Sequence, residues 1–247
     1  MDMWFARSAW LWTEASRPAT PADLASFAAR NMVRDAWVSV PWAGPTRATA
    51  AHVRALGGRG IRAACLGGDA TWSTDADAAA AWADRATASG MFTSVHLDIE
   101  PWALPEWTTH ADVLLTGLAR TVSAVAAASR GLPVEVDLPG WVARTHPAGF
   151  DQAVRAADRV TIMAFRDTAA AIADEADAAV AVAAGRARTF RVGVDTVPSP
   201  RPETTFHDDG RDALARHTSA VALEFARLPG FAGIAVHNLA AWRELRP

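Results

Sequence analysis

The run Thr93–Trp102, Thr-Ser-Val-His-Leu-Asp-Ile-Glu-Pro-Trp, alternates Val95, Leu97 and Ile99 with His96, Asp98 and Glu100. Side chains along a strand alternate between two faces, so one imidazole and two carboxylic acids share a face of this segment. A half-buried strand gains no packing from such a set, and the grouping points to proton chemistry. Glu100 stands at the predicted strand exit beside Pro101 and Trp102. Partial desolvation and the nearby Asp98 both disfavour its ionised form, which suits a general acid working near neutral pH. Asp98 is then expected to orient or tune Glu100. The competing roles are structural: an ion pair of Glu100 with an arginine such as Arg166, and a core position for His96 holding Asp98.

Around this segment, short β-type runs alternate with Ala-rich helical runs. The predicted strands are Trp4–Trp10, Ala36–Val40, Ile61–Cys65, Thr93–Glu100, Pro133–Asp137, Arg159–Phe165, Phe190–Asp195 and Gly233–Asn238. The predicted helices are Pro21–Arg30, Ala48–Leu56, Asp75–Ala88, Ala111–Ala128, Phe150–Ala157, Thr168–Ala184, Arg211–Arg227 and Leu239–Leu245. Eight strands each followed by a helix, in a chain of 247 residues, predict an α/β fold: a (β/α)8 barrel occupying residues 1–247 as one domain. A doubly wound open sheet is the alternative, but no Gly-rich dinucleotide turn follows the first strand.

Barrels of this kind carry their chemistry at the C-terminal strand ends. Those exits hold Trp12, Trp42, Trp72, Trp102, Trp107 and Trp141. Indoles there are expected to offer stacking faces for sugars or planar rings, although about half should simply fill space between loops and helices. Strand 5 presents Glu135 and Asp137 on one face. Asp137, nearer the exit, is the expected second catalytic carboxylate, whereas Glu135 is expected to pair with an arginine near the barrel bottom. Asp195 after strand 7 and His237 after strand 8 complete the expected rim, above a long Pro-containing loop, Val197–Asp209.

Composition narrows the function classes. A formal net charge of −3 gives no basic footprint for nucleic acid. A single cysteine, Cys65, allows no internal disulfide and fits a reducing compartment. The N-terminal residues do not read as a signal peptide, and no apolar stretch reads as both long enough and free enough of charge to span a membrane. The expectation is a soluble cytoplasmic protein with a small-molecule or oligosaccharide ligand. Neither a cofactor nor a metal is expected: His96, Asp98, Glu100, Asp137, Asp195 and His237 could converge at one mouth, but no metal-ligand spacing sharpens that possibility.

These motifs resemble the glycoside hydrolase family 18 barrels, the chitinase and endo-N-acetylglucosaminidase group. The family's D-x-D-x-E at strand 4 corresponds to His96, Asp98 and Glu100. Its S-x-G-G at strand 3 corresponds to Cys65-Leu66-Gly67-Gly68, and its M-x-Y-D at strand 6 to Met163-Ala164-Phe165-Arg166, with Asp167 following. The resemblance implies a barrel in which Glu100 is the general acid and Asp98 orients a substrate acetamido group. Phe165 lacks the family's tyrosine hydroxyl, Arg166 stands in place of an aspartate, and His237 falls near the family's strand 8 tryptophan. The expectation is a glycosidase-like enzyme with an altered ligand, one bearing negative charge for Arg166 to meet. The alternatives are an isomerase, lyase or metal-assisted hydrolase using the same carboxylates, or a catalytically silent sugar-binding barrel.

Overall fold

The computed structural model describes residues 5–13 and 19–247. Its eight parallel strands close into a barrel in sequence order: β1 (Arg7–Leu11), β2 (Val33–Ser39), β3 (Arg62–Gly67), β4 (Ser94–Leu97), β5 (Val134–Pro139), β6 (Arg159–Met163), β7 (Thr189–Asp195) and β8 (Phe231–His237). β1 pairs with β8 through Arg7–Ile234, Ser8–Ala235 and Ala9–Val236, which closes the ring. The (β/α)8 barrel expected from the alternating pattern is the fold observed.

The helices are α1 (Pro21–Arg30), α2 (Arg47–Gly57), α3 (Ala76–Thr87), α4 (Trp107–Ala128), α5 (Gly140–Thr145), α6 (Pro147–Ala156), α7 (Ala169–Gly185), α8 (Gly210–Phe225) and α9 (Leu239–Glu244). Their starts are fixed locally. Thr20 and Asp23 form a capping box on α1, Thr46 and Thr49 form one on α2, and Asp75 and Thr168 cap α3 and α7. Each cap supplies an acceptor to a backbone N–H that has no partner within the helix.

Several boundaries differ from the sequence expectation. The first strand runs Arg7–Leu11, and the predicted start at Trp4 lies outside the described residues. β2 begins three residues early, because Arg34 and Asp35 sit at the polar lower end of the barrel. β4 leaves the ladder after Leu97, although Asp98 still donates its N–H to the Gly67 carbonyl at 3.0 Å. β6 stops at Met163. The short α5 was not expected, since Pro139-Gly140 reads as a turn. α4 starts at Trp107 and is interrupted at His110. By length and composition alone α4 is apolar enough to cross a membrane, although it is not free of charge, carrying Asp112 and Arg120. In the fold, Leu114, Leu115, Leu118, Val122 and Val125 on its inner face are buried, and it lies between α3 and α6.

Two packing zones divide the core. The larger lies between strands and helices; the smaller, inside the barrel, comprises Trp10, Trp37, Ala64, Leu66 and Ala235. The two indoles meet edge to face with centroids 4.4 Å apart. They fit because the facing strands carry small residues: a Cβ on Gly193 would already lie 3.0 Å from the Trp10 ring. At the β3 exit, glycine is required by space. A Cβ on Gly67 would fall 2.3 Å from Trp82, and one on Gly68 would fall 1.8 Å from the Asp98 carbonyl oxygen. This pair lets β3 and the Asp98 backbone come together directly beneath Glu100.

Gly68→Ala therefore forces the Asp98 segment away and should lower unfolding free energy by about 1–3 kcal/mol in urea denaturation. Gly57→Ala, with nothing within 4 Å of its added methyl, should not. Equal effects would refute this account of the β3 exit.

Candidate active site

The barrel interior carries a connected column of charge. At its lower end Asp35 on β2 is held by Arg62 at 2.7 Å and by Arg191 at 3.0 Å. Arg191 on β7 also donates to Glu135 at 2.6 Å, and the Thr161 hydroxyl donates to the same carboxylate oxygen at 2.8 Å. This fulfils the expectation of an arginine partner for Glu135. One step higher, His96 Nδ1 lies 3.9 Å from Glu135, an ion-pair distance beyond hydrogen-bond reach. Its Nε2 donates to Asp137 Oδ1 at 2.9 Å, and the Trp10 indole N–H donates to Asp137 Oδ2, also at 2.9 Å. Trp37 stacks on the imidazole with centroids 3.8 Å apart.

These groups are buried, and burial alone would neutralise them. Desolvation disfavours the His96 imidazolium, but the charges of Asp137 and Glu135 outweigh it and hold the group up at about 9. Burial likewise acts to raise Glu135, yet Arg191 first, then His96 and Thr161, keep it well below the ordinary carboxylate range. Asp98 has no such support. Its Oδ1 is buried without a hydrogen-bond partner, and burial, followed by the charges of Asp137 and Glu100, pushes its carboxyl well up. Glu100, partly exposed, is raised by burial and then by Asp137. His96, expected to hold Asp98, instead holds Asp137. Asp137, expected as the second catalytic carboxylate, has no exposed surface and cannot touch a ligand in this arrangement.

Glu100 lines a cavity of about 390 Å³ at the C-terminal mouth. Trp102, Trp141, Phe165, Arg166 and Asp195 share its wall, so five of the expected ligand-contacting residues do meet the proposed acid. Trp102 and Trp141 pack edge to face at 6.2 Å, each backed by Trp107. Phe165 lies against His237, with ring centroids 5.9 Å apart. The Trp12 indole N–H donates to His237 Nε2 at 3.0 Å, so the ring proton is on Nδ1, which donates to Asp195 Oδ1 at 2.8 Å. The N–H groups of Thr196 and Val197 donate to that same oxygen, which fixes the start of the β7–α8 loop.

Other expected contacts lie elsewhere. Arg166 does not pair with Glu100; it donates to Glu175 and to the Phe165 carbonyl, each at 2.8 Å. Glu175, midway along α7, also receives Arg144 at 3.3 Å. Arg166 is thus already committed to a carboxylate of the protein itself. Asp167 is outside the cavity wall and neighbours Asp209, whose carboxyl is raised by partial burial and then by that charge. Trp42 and Trp72 line a separate cavity of about 380 Å³ with Trp82. Trp42 is 51% exposed, with the Arg85 guanidinium 4.6 Å from its ring, whereas Trp72 is 6% exposed and largely a packing residue. Among the described residues, no three His, Cys, Asp or Glu side chains are arranged to hold a metal ion.

Sequence reasoning missed Trp10, Trp37, Arg191, Glu175 and Arg201. Trp10 had a signal, since it shares a strand face with Trp12. Arg191, an isolated cation in an otherwise apolar strand, also had one. Glu175 in an Ala-rich helix and Arg201 in a loop had none.

No family model and no curated protein matches this chain. Solved structures do. A chitinase from Chromobacterium violaceum aligns with a TM-score of 0.65 at 17% identity, covering 97% of both chains. A GH18 chitinase from Cycas revoluta in complex with (GlcNAc)3 gives 0.58 at 11% identity over 96% of this chain and 95% of that one. A GH10 endoxylanase from a sugarcane soil metagenome gives 0.59 at 10% identity over 95% and 86%. At these identities the shared property is the fold: a divergent barrel similar to that of family 18, and of a kind that recurs among glycoside hydrolases.

The ion column yields two expectations. Arg191→Met leaves Glu135 buried without its main counter-charge and should cost about 3–5 kcal/mol in urea denaturation. Arg155→Met, at the largely exposed pair with Asp151, should change stability little. The second concerns pH. A group whose folded pKa lies above its unfolded value stabilises fully below the unfolded pKa and loses that contribution as pH rises through the folded one. For His96 the window runs from 6.5 to about 9, so unfolding free energy should decline across it. A flat profile there would contradict a buried imidazolium.

Proposed function

We propose that this protein is a glycoside hydrolase in which Glu100 is the general acid/base and Asp98 assists it. The observation that carries the reading is the setting of Glu100: a partly exposed carboxyl, raised by burial and by Asp137, opening into a cavity walled by Trp102, Trp141 and Phe165. Aromatic faces suit the apolar C–H faces of a pyranose, and a carboxyl held above its usual range is the better placed to pass a proton to a departing glycosidic oxygen. The structural neighbours named as chitinases and as an endoxylanase support hydrolysis as the reaction class.

In this mechanism the sugar enters against the Trp102–Trp141 wall. Glu100 protonates the leaving oxygen as the C–O bond lengthens, then as carboxylate takes a proton from the water that completes hydrolysis. Of the cavity's other carboxylates, Glu175 is engaged by Arg166 and Arg144, and Asp195 is not paired with an arginine among the described residues. Asp195 Oδ1 accepts three hydrogen bonds, and Oδ2 is the oxygen placed to meet developing positive charge on the sugar ring. Phe165 brings no hydroxyl to an acetamido oxygen, so a substrate lacking that group is accommodated equally. A cavity of about 390 Å³ suits a small glycoside or a glycosylated biosynthetic intermediate. The unpaired, buried Cys65 is compatible with a cytoplasmic setting.

The test is turnover of aryl and alkyl glycosides, with and without a 2-acetamido group, by wild type and Glu100→Gln. Wild type should turn over at least one member. The variant should lose a factor of roughly 10²–10⁴, most clearly on alkyl leaving groups, which need the proton more. Activity confined to acetamido sugars would assign the attack to the substrate's own amide. Absence of turnover across the panel would remove the hydrolase reading and favour a sugar-binding barrel.

A further inference from the structure

Asp98 and Asp137 are neighbouring carboxyls, Asp137 fully buried and Asp98 partly so, and their hydrogen bonds distinguish them. Both Asp137 oxygens accept an N–H, one from His96 and one from Trp10. Asp98 Oδ1 receives none. Donors directed at both oxygens stabilise a carboxylate, whereas a buried oxygen without a donor favours the acid. Burial pushes the Asp137 carboxyl up as well, and the charge of His96 with the two donors works against that rise. The charge balance agrees. Arg62, Arg191 and the His96 imidazolium are three cations, and Asp35, Glu135 and Asp137 are the three anions paired with them. Asp98 and Glu100 lie outside that balanced column, and among the described residues no cation is paired with either.

We propose that Asp137 is a positioning residue: held ionised by His96 and Trp10, it supplies a fixed negative charge beneath Asp98 and Glu100 that makes both retain their protons. This deepens, and rests on, the reading of Glu100 as the acid. The groups around the trio come from every adjoining part of the barrel. They are Trp10 on β1, Trp37 on β2, His96 on β4, Glu135 on β5, Arg191 reaching Glu135 from β7 and His237 on β8, with Asp195, Arg201 and the Arg166–Glu175 pair sharing the cavity wall with Glu100. His96, which replaces the resembled family's first aspartate, thereby acquires a purpose. Its Nε2 holds the Asp137 carboxylate at 2.9 Å. Asp137 acts only through Glu100 and Asp98, since it has no exposed surface.

The experiment pairs a carboxyl-carbon NMR titration of Glu100 with the pH profile of kcat/KM, for wild type, Asp137→Asn and Trp10→Phe. Asp137→Asn keeps the side-chain shape and removes the charge. It should move the Glu100 titration, and with it the alkaline limb of the profile, to lower pH by about one unit, a roughly tenfold loss of kcat/KM on that limb. Trp10→Phe removes one of two donors, lets Asp137 take a proton more readily, and should give a smaller shift in the same direction. It also serves as the second variant if Asp137→Asn fails to fold. A merely structural Asp137 would lower the whole profile and leave the limb and the titration in place, which would overturn the proposal. Should no glycoside be turned over, the titration still decides. A moved Glu100 supports the electrostatic role while the hydrolase reading fails, and an unmoved one sinks this inference by itself.

Discussion

An imidazolium buried without exposed surface is expensive unless anions face it, and His96 meets two from the same neighbouring strand, Glu135 and Asp137. This contact sets the terms for the rest of the barrel. Glu135 can accompany it only because Arg191 reaches across from β7, and Arg191 is itself balanced by Asp35, which Arg62 covers. The column therefore runs from the solvent-facing lower rim to just beneath the mouth with each charge compensated. Trp37 against the ring and Trp10 on Asp137 exclude water from its upper part, where Coulombic terms are largest. Removing an inner member such as Arg191 or His96 strips a buried carboxylate of a main partner, so the column is coupled and its mutational effects should not add.

The division of labour along the barrel axis follows. Below, charges are paired and act on fold stability. Above, Asp98 and Glu100 lack cationic partners, and their carboxyls are raised. Such a step between paired acids on β2 and β5 and unpaired acids just past the end of β4 separates structural ionisable groups from candidate catalytic ones. The Gly67-Gly68 exit brings the β3 backbone against Asp98, so the unpaired acids rest on main chain rather than on adjustable side chains.

Much of this was legible in the sequence because period-two alternation continues through Glu100 even though the ladder ends at Leu97. The barrel itself was readable from eight strand–helix repeats, as was an arginine partner for Glu135. The identity of that partner was not, because Arg191 and Glu135 are 56 residues apart and only barrel closure brings them together. The same holds for Asp137: its place near the strand exit suggested contact with a ligand, while its burial depends on Trp10, 127 residues away. Arg166 reaches the cavity wall as expected, but its partner was not legible, for a different reason. Its natural partner, Glu175, sits nine residues on in a helix whose Ala-rich pattern carries no sign of which face meets β6. The indoles split as sequence could not foresee: Trp102 and Trp141 join Glu100, while Trp42 and Trp72 surround another cavity.

The loop between β7 and α8 is tied together by its own atoms. Ser199 and Thr204 hydroxyls meet at 3.1 Å, Thr204 donates to the Arg201 carbonyl, and Thr205 donates to that of Val197. Ser199, Arg201 and Thr204 line the cavity, yet none belongs to the ion column or touches the β3–β4 backbone contact. Ligand preference and proton chemistry are thus written on separable pieces of chain. On the proposed function, substitutions in this loop would alter the ligand wall while leaving the Glu100 segment in place, whereas changes on the strand-4 face would reach the buried charges directly. In evolutionary terms, the barrel can diversify at one edge of its mouth while its interior remains under nearly complete constraint.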